Sequence, residues 1–91
     1  MNSHITDKFR KAFAELPADV QNQARQAYRL FKENPHHPSL RFKSIHPTRP
    51  IYSVRIGLNY RAVGIREEDD IIWYWAGSHA DYDKLIQQFR K

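Results

Sequence analysis

The chain has 91 residues, 41% of them hydrophobic and 13% aromatic, with no cysteine and a formal charge of +5. That is one domain, 1–91, near the lower size limit for a self-sufficient core, and it excludes disulfides and cysteine-based zinc modules. No apolar run approaches a membrane span and the start MNSHITDKFRK lacks the apolar core of a signal peptide, so no membrane contact and a cytoplasmic location are expected.

In ITDKFRKAFAEL, Ile5, Phe9, Ala12, Phe13 and Leu16 fall on one helical stripe, with Thr6 as N-cap and Asp7 in the first turn. Pro17 suits the first position of a second helix, whose stripe is Val20, Ala24, Ala27 and Phe31, widened by Tyr28 and Leu30. That helix should stop by Asn34, because Pro35 disfavours helix in the residue before it. Helices joined so tightly predict an αα-hairpin.

Strand chemistry follows. LRFKSI alternates Leu40 and Phe42 with Arg41 and Lys43, placing both cations on one side of a strand. PIYSVRI puts Tyr52, Val54 and Ile56 on one face and Ile51, Ser53 and Arg55 on the other. YRAVGIR and DIIWYW are rich in β-branched and aromatic residues, and the short links GLN and EEDD imply antiparallel hairpins. SHADYDKLIQQFRK returns to helix, with Tyr82, Leu85, Ile86 and Phe89 on its stripe. The order ααββββα predicts an α+β fold: a helical hairpin and a C-terminal helix packed on one face of a small antiparallel sheet.

Charge is unevenly spread. From Asn34 through Arg66 there is no acidic residue, while Arg41, Lys43, Arg49, Arg55, Arg61 and Arg66 all lie there with His36, His37 and His46. Such a stretch favours a phosphate backbone as partner over a merely solvated surface. A three-residue loop Gly57-Leu58-Asn59 would set Arg55 directly opposite Arg61, where like charges repel unless an anion sits between them. A two-residue loop would send them to opposite faces. Periodicity leaves both registers open, and the shared face is our expectation.

Ser78 is placed as an N-cap with Asp81 three residues on, so His79 becomes the first residue of the last helix. Unpaired backbone N–H groups and the helix dipole would attract an anion there and disfavour the imidazolium, leaving His79 able to exchange a proton. The plain alternative is a solvated histidine at a helix start. His36-His37 lacks a second set of ligands with metal-site spacing, there is no phosphate-binding glycine loop, and no serine or cysteine nucleophile is framed by a motif. No metal and no small-molecule cofactor is expected. Trp73, Tyr74 and Trp75 are mostly core candidates, one of which could stack a base.

Taken in order, NPHHPSLRFKSI, PIYSVRIGLNYRAVGIREED and IIWYWAGSHADYDKLI resemble the RelE/ParE superfamily of toxins from bacterial type II toxin–antitoxin systems. The most specific parts are Tyr60-Arg61-Ala62-Val63 and GSHADYDKL. The resemblance implies a cognate antitoxin as partner and, for RelE-like members, a metal-independent endoribonuclease that cuts mRNA on the ribosome using the RNA's own 2′-hydroxyl. Arg61 matches the arginine expected at the scissile phosphate, and Arg55 matches a basic residue on the preceding strand. His79 matches a position used for acid–base chemistry in some relatives, and Tyr82 a looser position for stacking or proton transfer. Arg41, Lys43 and Arg49 are the expected RNA-backbone contacts. Ser53 lies among them where RelE carries a lysine, which shifts weight onto His79. The usual strand before the helical hairpin finds little support in MNSHITDKF. ParE-like relatives share the fold and poison DNA gyrase instead, and a non-catalytic antitoxin- or nucleic-acid-binding protein is the third possibility.

Overall fold

The computed structural model describes residues 1–89. They form β1 (Asn2–Ile5), α1 (Asp7–Ala14), α2 (Ala18–Glu33), a 3₁₀ turn (Pro38–Leu40), β2 (Lys43–Ser44), β3 (Ile51–Ile56), β4 (Tyr60–Glu67), β5 (Asp70–Ser78) and α3 (His79–Gln88). The strands make one sheet in the order β1-β5-β4-β3-β2, antiparallel except for the parallel pair β1 and β5. The α+β class holds.

The helix signals act as read. The Thr6 hydroxyl accepts from the Phe9 amide, and α2 stops at Glu33 with Asn34 as its C-cap, whose amide donates to the Leu30 carbonyl. Pro17 stands one position earlier than expected, at the N-cap of α2. Leu16, Val20 and Phe31 are buried against Val54, Ile56, Ala62, Ile71 and Trp73, and Phe31 meets Trp73 edge-on at 5.5 Å. Burying each such side chain contributes roughly 1.5–3 kcal/mol.

Helices cover both faces of the sheet rather than one. Strand alternation turns Ile51 and Val63 away from α1 and α2, and there they form a second cluster with Tyr82, Leu85 and Ile86 of α3. In PIYSVRI the second face offers only Ile51 beside Ser53 and Arg55, so the alternation of that strand gives little sign of a second covered face.

A strand precedes the hairpin after all. β1 is short, polar and mostly exposed, so it shows no alternation. It is held by its partner: the Asn2 amide donates to the Asp69 carbonyl, and the Thr6 hydroxyl to the Trp73 carbonyl at 3.0 Å. His4 Nε2 lies 3.1 Å from the Asp70 carboxylate, and hydrogen bonds from His4 and then Asn2 hold that carboxyl below the usual range.

Between Val63 and Gly64 the β4–β5 register shifts, because Val63 pairs with Trp75 and Gly64 with Trp73. Tyr74 is the extra residue of a β-bulge. Trp73 therefore packs in the α1/α2 core and Trp75 in the α3 cluster, although they are two apart. A Cβ on Gly64 would stand 2.9 Å from both the Ile72 carbonyl oxygen and the Trp73 ring. Gly64→Ala is expected to cost at least about 1 kcal/mol through overpacking, seen as a lower midpoint in urea unfolding; an unchanged midpoint would mean that the bulge relaxes freely.

Candidate functional site

β3 and β4 are joined by Gly57-Leu58-Asn59, with Gly57 at φ +58, a conformation that suits glycine. The register is the shared-face one: Arg55 pairs with Arg61 and Ile56 with Tyr60. Each of the facing arginines donates to a neutral backbone carbonyl. Arg55 Nε donates to the Gly57 carbonyl at 2.9 Å, and Arg61 donates to the Tyr60 carbonyl at 2.8 Å. The Arg61 guanidinium also lies over the Tyr82 ring, 5.8 Å from its centroid. Among the described residues neither arginine forms a salt bridge. Burial, and then the Arg55 charge, lowers the pKa of Arg61 below the ordinary arginine value. It remains a cation whose charge is not cancelled.

Arg61 faces an open cleft of about 670 Å³ on the α3 side of the sheet. Arg41, Lys43, Ser53, His79 and Tyr82 line the same cleft, so six of the eight residues singled out in the sequence converge. Arg55 and Arg49 are not in its lining. Arg55 flanks it through the pairing with Arg61, whereas Arg49 sits in the loop before β3, its amide bonded to His46 Nδ1 at 3.0 Å.

Arg41 reaches the cleft by a different route from the one expected. LRFKSI is not a continuous strand: Leu40 closes the 3₁₀ turn, Arg41 caps it at φ +48, and only Lys43 and Ser44 pair with β3. Leu40 is almost fully buried, which ties the turn to the α2 core. A left-handed non-glycine residue is uncommon, and here it aims a cation at the cleft.

His79 opens α3, with the Ser78 hydroxyl accepting from the Asp81 amide at 3.2 Å. The His79 amide donates to the Asn59 carbonyl at 2.7 Å. Two of the first helical amides are thus satisfied internally, so the helix start is less of an anion site than its sequence implies. The imidazole is half-exposed, with Nδ1 3.1 Å from Asp83 Oδ2 and no hydrogen bond at Nε2 among the described residues. Its ring meets Tyr82 edge-on at 6.1 Å.

Tyr82 and Ser53 are placed differently from the RNA-facing roles expected of them. Tyr82 is 4% exposed and Ser53 1%, and their hydroxyls bond to each other at 2.9 Å. The pair fastens α3 to β3 beneath Arg61 and His79.

Two titratable residues lining the cleft were not singled out as site residues in the sequence. Asp83 stands one helical turn after His79, a spacing that signals a side-chain pair. His46 lies in the acid-free stretch, its ring 5.1 Å from that of Phe89. Among the described residues no three His, Cys, Asp or Glu side chains are grouped to hold a metal ion, and no helix is long and apolar enough to cross a membrane.

A family model described as the ParE-like toxin domain matches residues 18–84. No curated protein gives a significant sequence match. Among solved structures, the RelB–RelE antitoxin–toxin complex of Methanococcus jannaschii matches with a TM-score of 0.72 at 17% identity, over 90% of this chain and 96% of that one. The archaeal RelE–RelB complex of Pyrococcus horikoshii gives 0.67 at 16% identity, over 86% and 93%. The intact RelBE toxin–antitoxin complex of E. coli gives 0.61 at 14%, over 84% and 93%. At these identities the likeness is one of fold.

Proposed function

The chain belongs to the ParE-like toxin domain family, within the RelE/ParE superfamily of toxins, and we propose that it acts as a ribosome-associated, metal-independent mRNA endoribonuclease that inhibits translation. The observation behind this reading is the convergence of Arg61, Arg41 and Lys43 with His79 in one open cleft. Arg61 lies where a guanidinium could stabilise the charge that builds on a pentavalent phosphorus centre. Arg41 and Lys43 track the RNA backbone, giving salt-dependent binding. Arg55 strengthens the field at Arg61 from the adjoining strand. His79 takes the 2′-hydroxyl proton through Nε2. Tyr82 and Ser53 hold the platform rather than move protons. A cognate antitoxin is the proposed protein partner, since three of the matching folds are toxin–antitoxin complexes.

The match to a model described as ParE-like favours a second reading, a toxin that poisons DNA gyrase without cutting RNA. Primer-extension mapping of mRNA in cells expressing the wild-type chain separates the two. New 5′ ends at codon-phased positions are expected. Intact mRNA with an induced DNA-damage response would support gyrase instead, and intact mRNA with normal growth would leave a non-catalytic binding protein.

A further inference from the structure

We propose that Asp83 is a positioning residue that fixes His79 in the Nδ1–H tautomer and so presents Nε2 to the cleft as the proton acceptor; this rests on the nuclease reading above. An ionised carboxylate only accepts hydrogen bonds. With Asp83 Oδ2 3.1 Å from His79 Nδ1, the shared proton belongs to Nδ1, and the lone pair of the neutral ring is on Nε2. Asp83 lines the cleft itself and is among the charges felt by Arg61. Both members of the pair are about half exposed, and an exposed helical pair of this spacing adds only about 0.3–0.5 kcal/mol of stability. Its consequence is therefore chemical rather than structural.

His46 provides an internal contrast. Its Nδ1 accepts from the amides of Thr48 at 3.1 Å and Arg49 at 3.0 Å, so that nitrogen carries no proton. The cleft thus holds two imidazoles whose partners favour opposite tautomers, His79 with a lone pair at Nε2 and His46 with a proton there. Only the first can act as a base through Nε2.

In the step this serves, the 2′-hydroxyl proton moves to His79 Nε2 while the O2′–P bond forms and the P–O5′ bond breaks. The departing 5′-oxygen takes a proton from water, and the imidazolium neutralises the hydroxide left behind. The products are a 2′,3′-cyclic phosphate and a 5′-hydroxyl, with no net change in protons.

Long-range proton–nitrogen NMR of the imidazoles in the full chain, above the pH at which they lose their charge, reads the tautomers without any substrate. His79 is expected in the Nδ1–H form and His46 in the Nε2–H form. Asp83→Ala should move His79 to the Nε2–H form without altering His46, and slow cleavage of an RNA substrate about tenfold, part of what a positioned base supplies. Asp83→Glu, which keeps the carboxylate, should restore both. An Nε2–H His79 in the wild type, or an Asp83→Ala chain with unchanged tautomer or rate, overturns the proposal. A wild type that shows the expected tautomers but never cleaves RNA overturns the nuclease reading and the role of Asp83 in it together.

Discussion

Replacing either Arg61 or His79 by alanine is expected to stop RNA cleavage and growth arrest while the chain stays folded. Removing a donor aimed at developing charge costs about 10²–10³ in rate, and removing a positioned base about 10²–10⁴. The stability terms are far smaller and partly cancel. Arg61→Ala relieves the like-charge pairing with Arg55, worth roughly 0.2–1 kcal/mol, and loses the contact with the Tyr82 ring, worth about 0.5–1 kcal/mol. His79→Ala loses an exposed pair with Asp83, about 0.3–0.5 kcal/mol, and the edge-on contact with Tyr82, but keeps the amide bond to Asn59, which is made by the backbone. Cleavage of a ribosome-bound message and thermal melting, measured on the same samples, should therefore separate cleanly. Arg55→Ala, outside the cleft lining, should lose less activity than Arg61→Ala. Full toxicity in either alanine variant at position 61 or 79 would remove these residues from the chemistry.

How far the site could be read beforehand depended on whether its placement was local. The Thr6 and Ser78 caps and the stop at Asn34 follow from a few neighbouring residues, whereas the face shared by Arg55 and Arg61 is one of two registers that periodicity leaves open. β1 does not follow from its neighbours, because three of its four residues are polar, none is buried, and its order comes from pairing with β5 at the far end of the chain. Arg41 was expected in a strand because Leu40 and Phe42 alternate with cations. Burial of Leu40 beside α2 instead closes a 3₁₀ turn there. The bulge at Tyr74 escaped for a related reason: WYW reads as plain alternation, and only the close packing of Gly64 on β5 shows the slip. Arg61 and His79 were legible as charged or titratable groups at marked positions. Asp83 was not, since a carboxylate on a helix is ordinarily a solvated one.

Tyr82→Phe should lower stability while leaving cleavage within a few-fold of wild type at temperatures well below the melt. The Tyr82 hydroxyl has one partner, Ser53 Oγ at 2.9 Å, and both groups are almost wholly buried. Among the described residues no buried side-chain nitrogen or oxygen lacks a partner, so losing either hydroxyl creates the first. Leaving a buried polar group unsatisfied costs roughly 1–3 kcal/mol, and in a domain of this size 1 kcal/mol shifts the melting temperature by about 4–8 °C. Ser53→Ala should cost a similar amount from the other side. The double variant removes both hydroxyls, so its loss should fall well short of the sum of the two single losses, with a coupling on the order of 1 kcal/mol or more. Additive losses would show that water replaces the missing partner. The ring of Phe at position 82 still lies beneath the Arg61 guanidinium and beside His79, which is why the chemistry should persist. A hundredfold loss of cleavage in a folded Tyr82→Phe chain would instead return the phenol to proton transfer and take that work away from His79.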